Sequence, residues 1–127
     1  MKLTIAASGP ADPDSVWDRY VHPGRWREWS PQIRSVDYPD PSIAEGGRGS
    51  VHGPCGVGVA FEILAVDDDK RCWAWRVMVA GVTLVLGHAV FTQGSGSRTT
   101  LDISGPAPVV IGYAPIARLA LGRLLRA

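Results

Sequence analysis

Histidine is the side chain whose ordinary pKa lies nearest neutrality, and of His22, His52 and His88 the last is the candidate for proton transfer. His88 stands in the alternating run Val82 to Thr92, in register with Leu84, Leu86 and Val90. If that register faces the interior, a neutral imidazole there could move a proton to or from an enolisable ketone. Otherwise it is a structural histidine hydrogen-bonded within a sheet. Tyr113 could donate its hydroxyl to a carbonyl, or simply pack with a wet tip. Arg76 could hold a carboxylate or enolate, but alternation sets it opposite Trp75, on an outer face. Asp102, between Leu101 and Ile103, points outward by the same reasoning. Arg48 and His52 lie in a glycine-rich stretch, either at a cavity mouth or in solvent, and His22 before Pro23 belongs to a helix corner.

Much other chemistry is excluded. No Ser/His/Asp set, carboxylate pair or metal-ligand spacing can be assembled, so no metal and no cofactor are expected. The segment EGGRGSVHGP from Glu45 to Pro54 accommodates neither GxGxxG nor GxxxxGK[ST], and no helix follows it to face a phosphate. A strand with close backbone approaches is expected there. Thirteen Lys and Arg against twelve Asp and Glu leave a net charge of +1, which gives no electrostatic case for nucleic acid or acidic lipid. Cys55 and Cys72 lack the number and spacing of a disulfide framework and read as reduced thiols, as in a cytoplasmic protein. The apolar start MKLTIAASG is too short for a secretory signal. Ala74 to Phe91 is apolar, but Arg76, His88 and two glycines interrupt it and its bulky residues alternate, so it reads as sheet rather than a membrane span.

The elements that must position these residues follow from periodicity. At 127 residues the chain, 1–127, is long enough for one domain with a single core. Lys2 to Ala7 reads as a strand. Asp12 followed by Pro13 starts a helix carrying Val16, Trp17, Tyr20 and Val21 on one stripe, and it ends before Pro23. Trp26 and Trp29 give a second short helix one aromatic edge before Pro31. Ile33 to Tyr38 is extended. Val57 to Val66 is a strand with Val57, Val59, Phe61 and Ile63 on one face, followed by a polar turn at Asp67 to Lys70. Arg71 to Val79 sets Trp73, Trp75, Val77 and Val79 on one face. Gly81 permits a turn or bulge, Val82 to Thr92 follows, and Gly94 to Ser97 is a hairpin tip before Arg98 to Ser104. The remainder to Ala127 is helical, kinked or restarted at Pro115. Tyr113, Ala117, Ala120, Leu121 and Leu124 lie on one side and Arg118, Arg123 and Arg126 on another.

This order of elements resembles the START-like, or Bet v 1-like (SRPBCC), superfamily, and within it the bacterial polyketide cyclase/dehydrase and lipid transport branch. The resemblance is carried by Val16-Trp17, by PGRWREWSP from Pro23 to Pro31, and by GRGSVHGPCG from Gly47. The strand around Trp75, GHAVF from Gly87 and the glycine-rich turn leading to Arg98-Thr99-Thr100 complete it. It implies an α+β helix-grip fold, a curved antiparallel β-sheet wrapped around a long C-terminal α-helix, with two short helices after the first strand.

It further implies a cavity between sheet, small helices and long helix that takes a hydrophobic or aromatic small molecule. The residues expected to line it are Trp26, Trp29, Val59, Phe61, Trp73, Trp75, Val77, Leu86, Leu101, Ala117 and Leu121, with His88 and Tyr113 as candidate catalytic groups. Trp26 and Trp29 either touch ligand or only plug the core. A bulge at Gly81 or Gly87 would reverse the register beyond it. No nucleic acid and no integral membrane segment are expected, and a homodimer is left open. Two functions compete: a polyketide cyclase/dehydratase promoting aldol closure, and a non-catalytic carrier or sensor. The first predicts polar groups converging in the cavity, the second an almost wholly apolar lining.

Overall fold

The structure, a computed structural model, describes the backbone of residues 1–127 and every side chain except that of Cys55. The expectation of a reduced Cys55 therefore falls outside the described side chains, while Cys72 is free.

The elements run β1 (Lys2–Gly9), α1 (Pro13–Val21), α2 (Trp26–Trp29), β2 (Ser35–Asp37), β3 (Arg48–His52), β4 (Gly58–Asp67), β5 (Cys72–Val79), β6 (Val82–Gln93), β7 (Gly96–Ser104) and α3 (Ala107–Leu124), with single 3₁₀ turns at Pro23–Arg25 and Pro54–Gly56. The seven strands form one antiparallel sheet in the order β1-β7-β6-β5-β4-β3-β2. β2 to β7 are thus a meander, and the chain's first strand closes its far side against β7.

Local chemistry explains the corner. The Asp12 carboxylate accepts from Ser15 N at 3.0 Å and from Ser15 Oγ at 2.8 Å, which starts α1. The backbone hydrogen bonding also holds its pKa below the ordinary carboxylate value. His22 and Ser30 take extended conformations just past α1 and α2, so both helices stay short. Of the expected α1 stripe, Val16 and Tyr20 are fully buried, whereas Trp17 is half-buried and its indole donates to Asp68 at 3.0 Å. That bond and the Arg71–Asp14 ion pair tie α1 to the β4–β5 turn.

The glycine-rich segment behaves as its sequence suggested. A Cβ on Gly49 would lie 2.2 Å from the Asp37 carbonyl and 2.9 Å from the Phe61 ring, so β2, β3 and the ring share space that only glycine leaves. Strand β3 is nonetheless shorter than Glu45 to Pro54. Ala80 and Gly81 both have positive φ, and form the two-residue turn between Val79 and Val82 that a twisted hairpin requires.

The register is continuous from β5 through β7, and the shift falls elsewhere: a bulge in β4 between Ile63 and Ala65. Ile63 faces Trp75, and after the bulge Val66 faces Trp73, so both valine and isoleucine stay on the inner face. Val57 lies before β4 and is 51% exposed, which removes it from the strand face it was expected to share. Helix α3 is continuous through Pro115 instead of restarting there. It is apolar and long enough to cross a membrane by length and composition alone, but its face of Val110, Ala114, Ala117, Ala120, Leu121 and Leu124 is buried on the sheet. The Ala11 amide donates to Leu125 O at 3.0 Å, fixing its end against the loop before α1. Arg76, Glu62 and Arg48 form a cross-strand row on the outer face, with Arg76 donating to Glu62 at 2.9 Å. Asp102 is outward too, accepting from Thr4 Oγ1 at 2.6 Å.

Candidate ligand-binding site

The inner face of the sheet, α2 and α3 enclose a cavity of about 360 Å³, within the range of small-molecule sites. Strand alternation delivers its floor: Trp73, Trp75 and Val77 from β5, Leu84, Leu86 and His88 from β6, and Leu101 from β7. Val59 enters from β4, Trp26 and Trp29 from α2, and Tyr113, Ala117 and Leu121 from α3. Phe61 does not line it. It is 1% exposed and packs behind the wall, against Trp26, Trp75 and a parallel Tyr38 ring. The bulge in β4 does not cause this; the larger rings of Trp26 and Trp75 simply stand in front.

Trp26 answers the question of plug or lining with both. Its indole donates to Tyr20 O at 2.8 Å, and its ring stacks on Trp73 at 5.6 Å and 18° while meeting Trp75 edge-on at 5.0 Å. Such aromatic contacts add about 0.5–1.5 kcal/mol each to the burial of the rings. Trp29 donates to Arg19 O at 3.3 Å and meets Tyr20 at right angles. The corner therefore uses its indole N–H groups to satisfy α1 carbonyls while giving ring surface to the cavity.

His88 points inward, 7% exposed, and lies flat on Trp73. Burial pushes its pKa from 6.5 down to about 3, so the ring is neutral at physiological pH. Nδ1 of His88 has no partner among the described residues. Tyr113 is half-buried, and its hydroxyl accepts from Gln32 Nε2 at 3.3 Å; burial raises its pKa to about 12. The indole N–H groups of Trp73 and Trp75 and the Gln32 side-chain oxygen also lack partners among the described residues. His52 sits on the lining beside Gly53 and Pro54, with Nε2 at 2.7 Å from Asp37. His22 is apart, at the helix corner, with Nδ1 2.8 Å from Asp18 O, and Arg48 is solvated.

Sequence reasoning missed Ser30, Gln32, Val51, Gly53 and Pro54 among the lining residues. Gln32 and Ser30 follow the aromatic corner in an irregular segment, where periodicity carries no signal. Their only clue is that they adjoin Trp29. Among the described residues, no three of His, Cys, Asp and Glu gather as a metal site would require.

A curved seven-stranded antiparallel sheet gripping a C-terminal helix, with short helices closing one side of a cavity, defines the Bet v 1-like helix-grip class of ligand-binding domains. The chain belongs to the polyketide cyclase / dehydrase and lipid transport family, whose sequence profile matches residues 2–127. Among curated proteins no sequence matches it. Among solved structures it is similar to Ara h 8.0201, with TM-score 0.75 and 14% identity over 98% of this chain and 97% of the other. It is also similar to a protein from Nitrosospira multiformis, with TM-score 0.82 and 15% identity over 98% and 94%. DynU16, from the dynemicin biosynthetic locus, matches with TM-score 0.80 and 20% identity over 98% of this chain and 45% of the other. At these identities the likeness is one of fold.

Proposed function

We propose that the protein takes a hydrophobic or aromatic small molecule into this cavity and carries or senses it without changing it. The observation that carries this reading is the lining itself: apolar and aromatic side chains from every enclosing element, with its carboxylate–histidine pair, His52 and Asp37, out in solvent at the rim and not at the depth of the cavity beside His88. A base with a pKa near 3 is too weak to enolise a ketone at neutral pH, and a hydroxyl near 12 is a poor proton source. The free thiol of Cys72 accords with a cytoplasmic setting.

Fluorescence titration with the uncharged probe N-phenyl-1-naphthylamine tests the reading. One probe should bind per chain, and Val59→Trp, which puts bulk into the cavity from a half-buried strand position, should weaken binding at least about tenfold with an unchanged circular dichroism spectrum. Equal binding by the variant would remove the cavity as the site. The cyclase reading has one point in its favour, since His88 and Tyr113 share the cavity. Turnover of a poly-β-ketone that drops about a hundredfold in His88→Ala would replace the carrier reading with it.

A further inference from the structure

We propose that the solvent-facing side of α3 is a docking surface for an anionic lipid bilayer, on which the helix lies flat instead of crossing it. This face is turned away from the cavity, and its role holds whether or not the cavity takes a ligand.

Composition sets the face apart. Every exposed residue of α3 is apolar or glycine except Arg118. Ile111, Ile116 and Leu119 are 58%, 40% and 50% exposed, three of the seven large apolar side chains that the described residues leave in water. Single exposed apolar residues are ordinary on a soluble protein, but at about 100° per residue Ile111, Pro115 and Leu119 form one row along the helix. The opposite side, with Val110, Ala114, Ala117 and Leu121, is spent on the sheet and the cavity, which keeps α3 from leaving to span a membrane.

Charge chooses the occupant. Residues 105–127 hold Arg118, Arg123 and Arg126 and no Asp, Glu or Lys, an imbalance that the whole chain's net charge of +1 conceals. None of the three forms an ion pair among the described residues. Glu28, which borders the same end of the helix as Arg123 and Arg126, is held by Arg25. Around the helix Arg118 and Arg123 fall on either side of the apolar row and Arg126 continues it, so their stems can lie along lipid while the guanidinium groups reach phosphate. The dipole of α3 accounts for a cation in its last turn, but not for the lack of uncharged polar side chains. A second copy fits badly, because its matching face would bring three more arginines and no carboxylate to answer them. An acidic protein would find no uncharged side chain to hydrogen-bond, where ordinary protein interfaces carry about ten hydrogen bonds. A bilayer asks only for apolar surface and for cations at its phosphates.

Co-sedimentation of the full chain with vesicles of phosphatidylcholine alone, or with about one-third phosphatidylglycerol, tests this. Binding should be at least about tenfold tighter to the anionic vesicles and should fall in 1 M salt. Each arginine near such a surface is worth about fivefold, so Arg118→Gln with Arg126→Gln should weaken binding at least about tenfold. Ile111→Ser with Leu119→Ser should also weaken it at least about tenfold. All four side chains are exposed, so circular dichroism and N-phenyl-1-naphthylamine binding without vesicles should match the wild type. Equal binding to both vesicle types, no binding to either, or binding indifferent to both double variants overturns the proposal. A loss in the arginine variant alone, matched by equal binding to poly-glutamate, assigns the face to acidic polypeptide and overturns it as well. A dimer in sedimentation velocity that Ile111→Ser with Leu119→Ser splits gives the face to a second copy instead. A wild type that binds anionic vesicles but no probe would overturn the cavity reading and leave this one standing.

Discussion

His88 lies flat on Trp73, with ring centroids 4.1 Å apart and planes 6° from parallel. The two are cross-strand partners in β5 and β6, so sheet register alone imposes the stack. A protonated imidazole would gain about 1–2 kcal/mol from the indole face. Desolvation outweighs this, since a fall from 6.5 to about 3 corresponds to roughly 5 kcal/mol.

Burial of His88 therefore makes stability depend on pH. His88 has a folded pKa of about 3 against 6.5 for the free side chain, so between these values the unfolded chain binds the extra proton. Its contribution is complete above pH 6.5 and is lost as pH falls toward 3, at up to about 1.4 kcal/mol per pH unit. Urea unfolding at pH 7.5 and pH 5 should show a smaller loss for His88→Phe than for the wild type. Equal losses would mean that His88 is hydrated in the folded protein.

Trp26 and Trp29 should separate stability from binding. Trp26→Ala removes a 1% exposed ring, its bond to Tyr20 O and its contacts with Trp73 and Trp75, and should cost about 3–5 kcal/mol in denaturant unfolding. Trp29→Ala should lose less stability and weaken N-phenyl-1-naphthylamine at least about tenfold. Loss of folding with no separable binding effect would return Trp29 to a purely structural role.

Glycines test the close approaches. Gly49→Ala should destabilise by at least about 2 kcal/mol, because its Cβ would meet the Asp37 backbone oxygen at 2.2 Å. Gly112→Ala, inside α3 with open space around it, should stabilise by about 0.5–1 kcal/mol. Thermal and urea unfolding of both variants reads the signs directly.

The outer-face charge row should matter little. Glu62→Gln breaks pairs with Arg76 and Arg48, both substantially exposed, and should cost less than about 1 kcal/mol. The difference should shrink in 1 M salt. A larger, salt-independent loss would show that the row braces the sheet.

The alternation of Trp73, Trp75 and Val77 with Leu84, Leu86 and His88 made the cavity floor legible, because a strand's period of two leaves each side chain only one of two faces. The α2 pair was legible through its spacing and the prolines around it. What could not be read was position within a face: Phe61 has the right register yet stands behind Trp26 and Trp75, since depth depends on the size of neighbours distant in sequence. The bulge between Ile63 and Ala65 carries no glycine to announce it. Gln32, which bonds Tyr113 across 81 positions, sits where no repeat exists to interpret.

Four of the five tryptophans border the cavity, and Trp17 alone stands away from it, bonded to Asp68. Trp26, Trp73 and Trp75 lie within 5.0–5.6 Å of one another, close enough for excitation to pass among them. The protein therefore carries a built-in optical reporter for the proposed site: a guest in the cavity would alter the emission of the indole cluster, while Trp17, away from it, would serve as an internal reference. Occupancy can be followed without any label, and replacing Trp17 by Phe would leave a signal from the cavity alone.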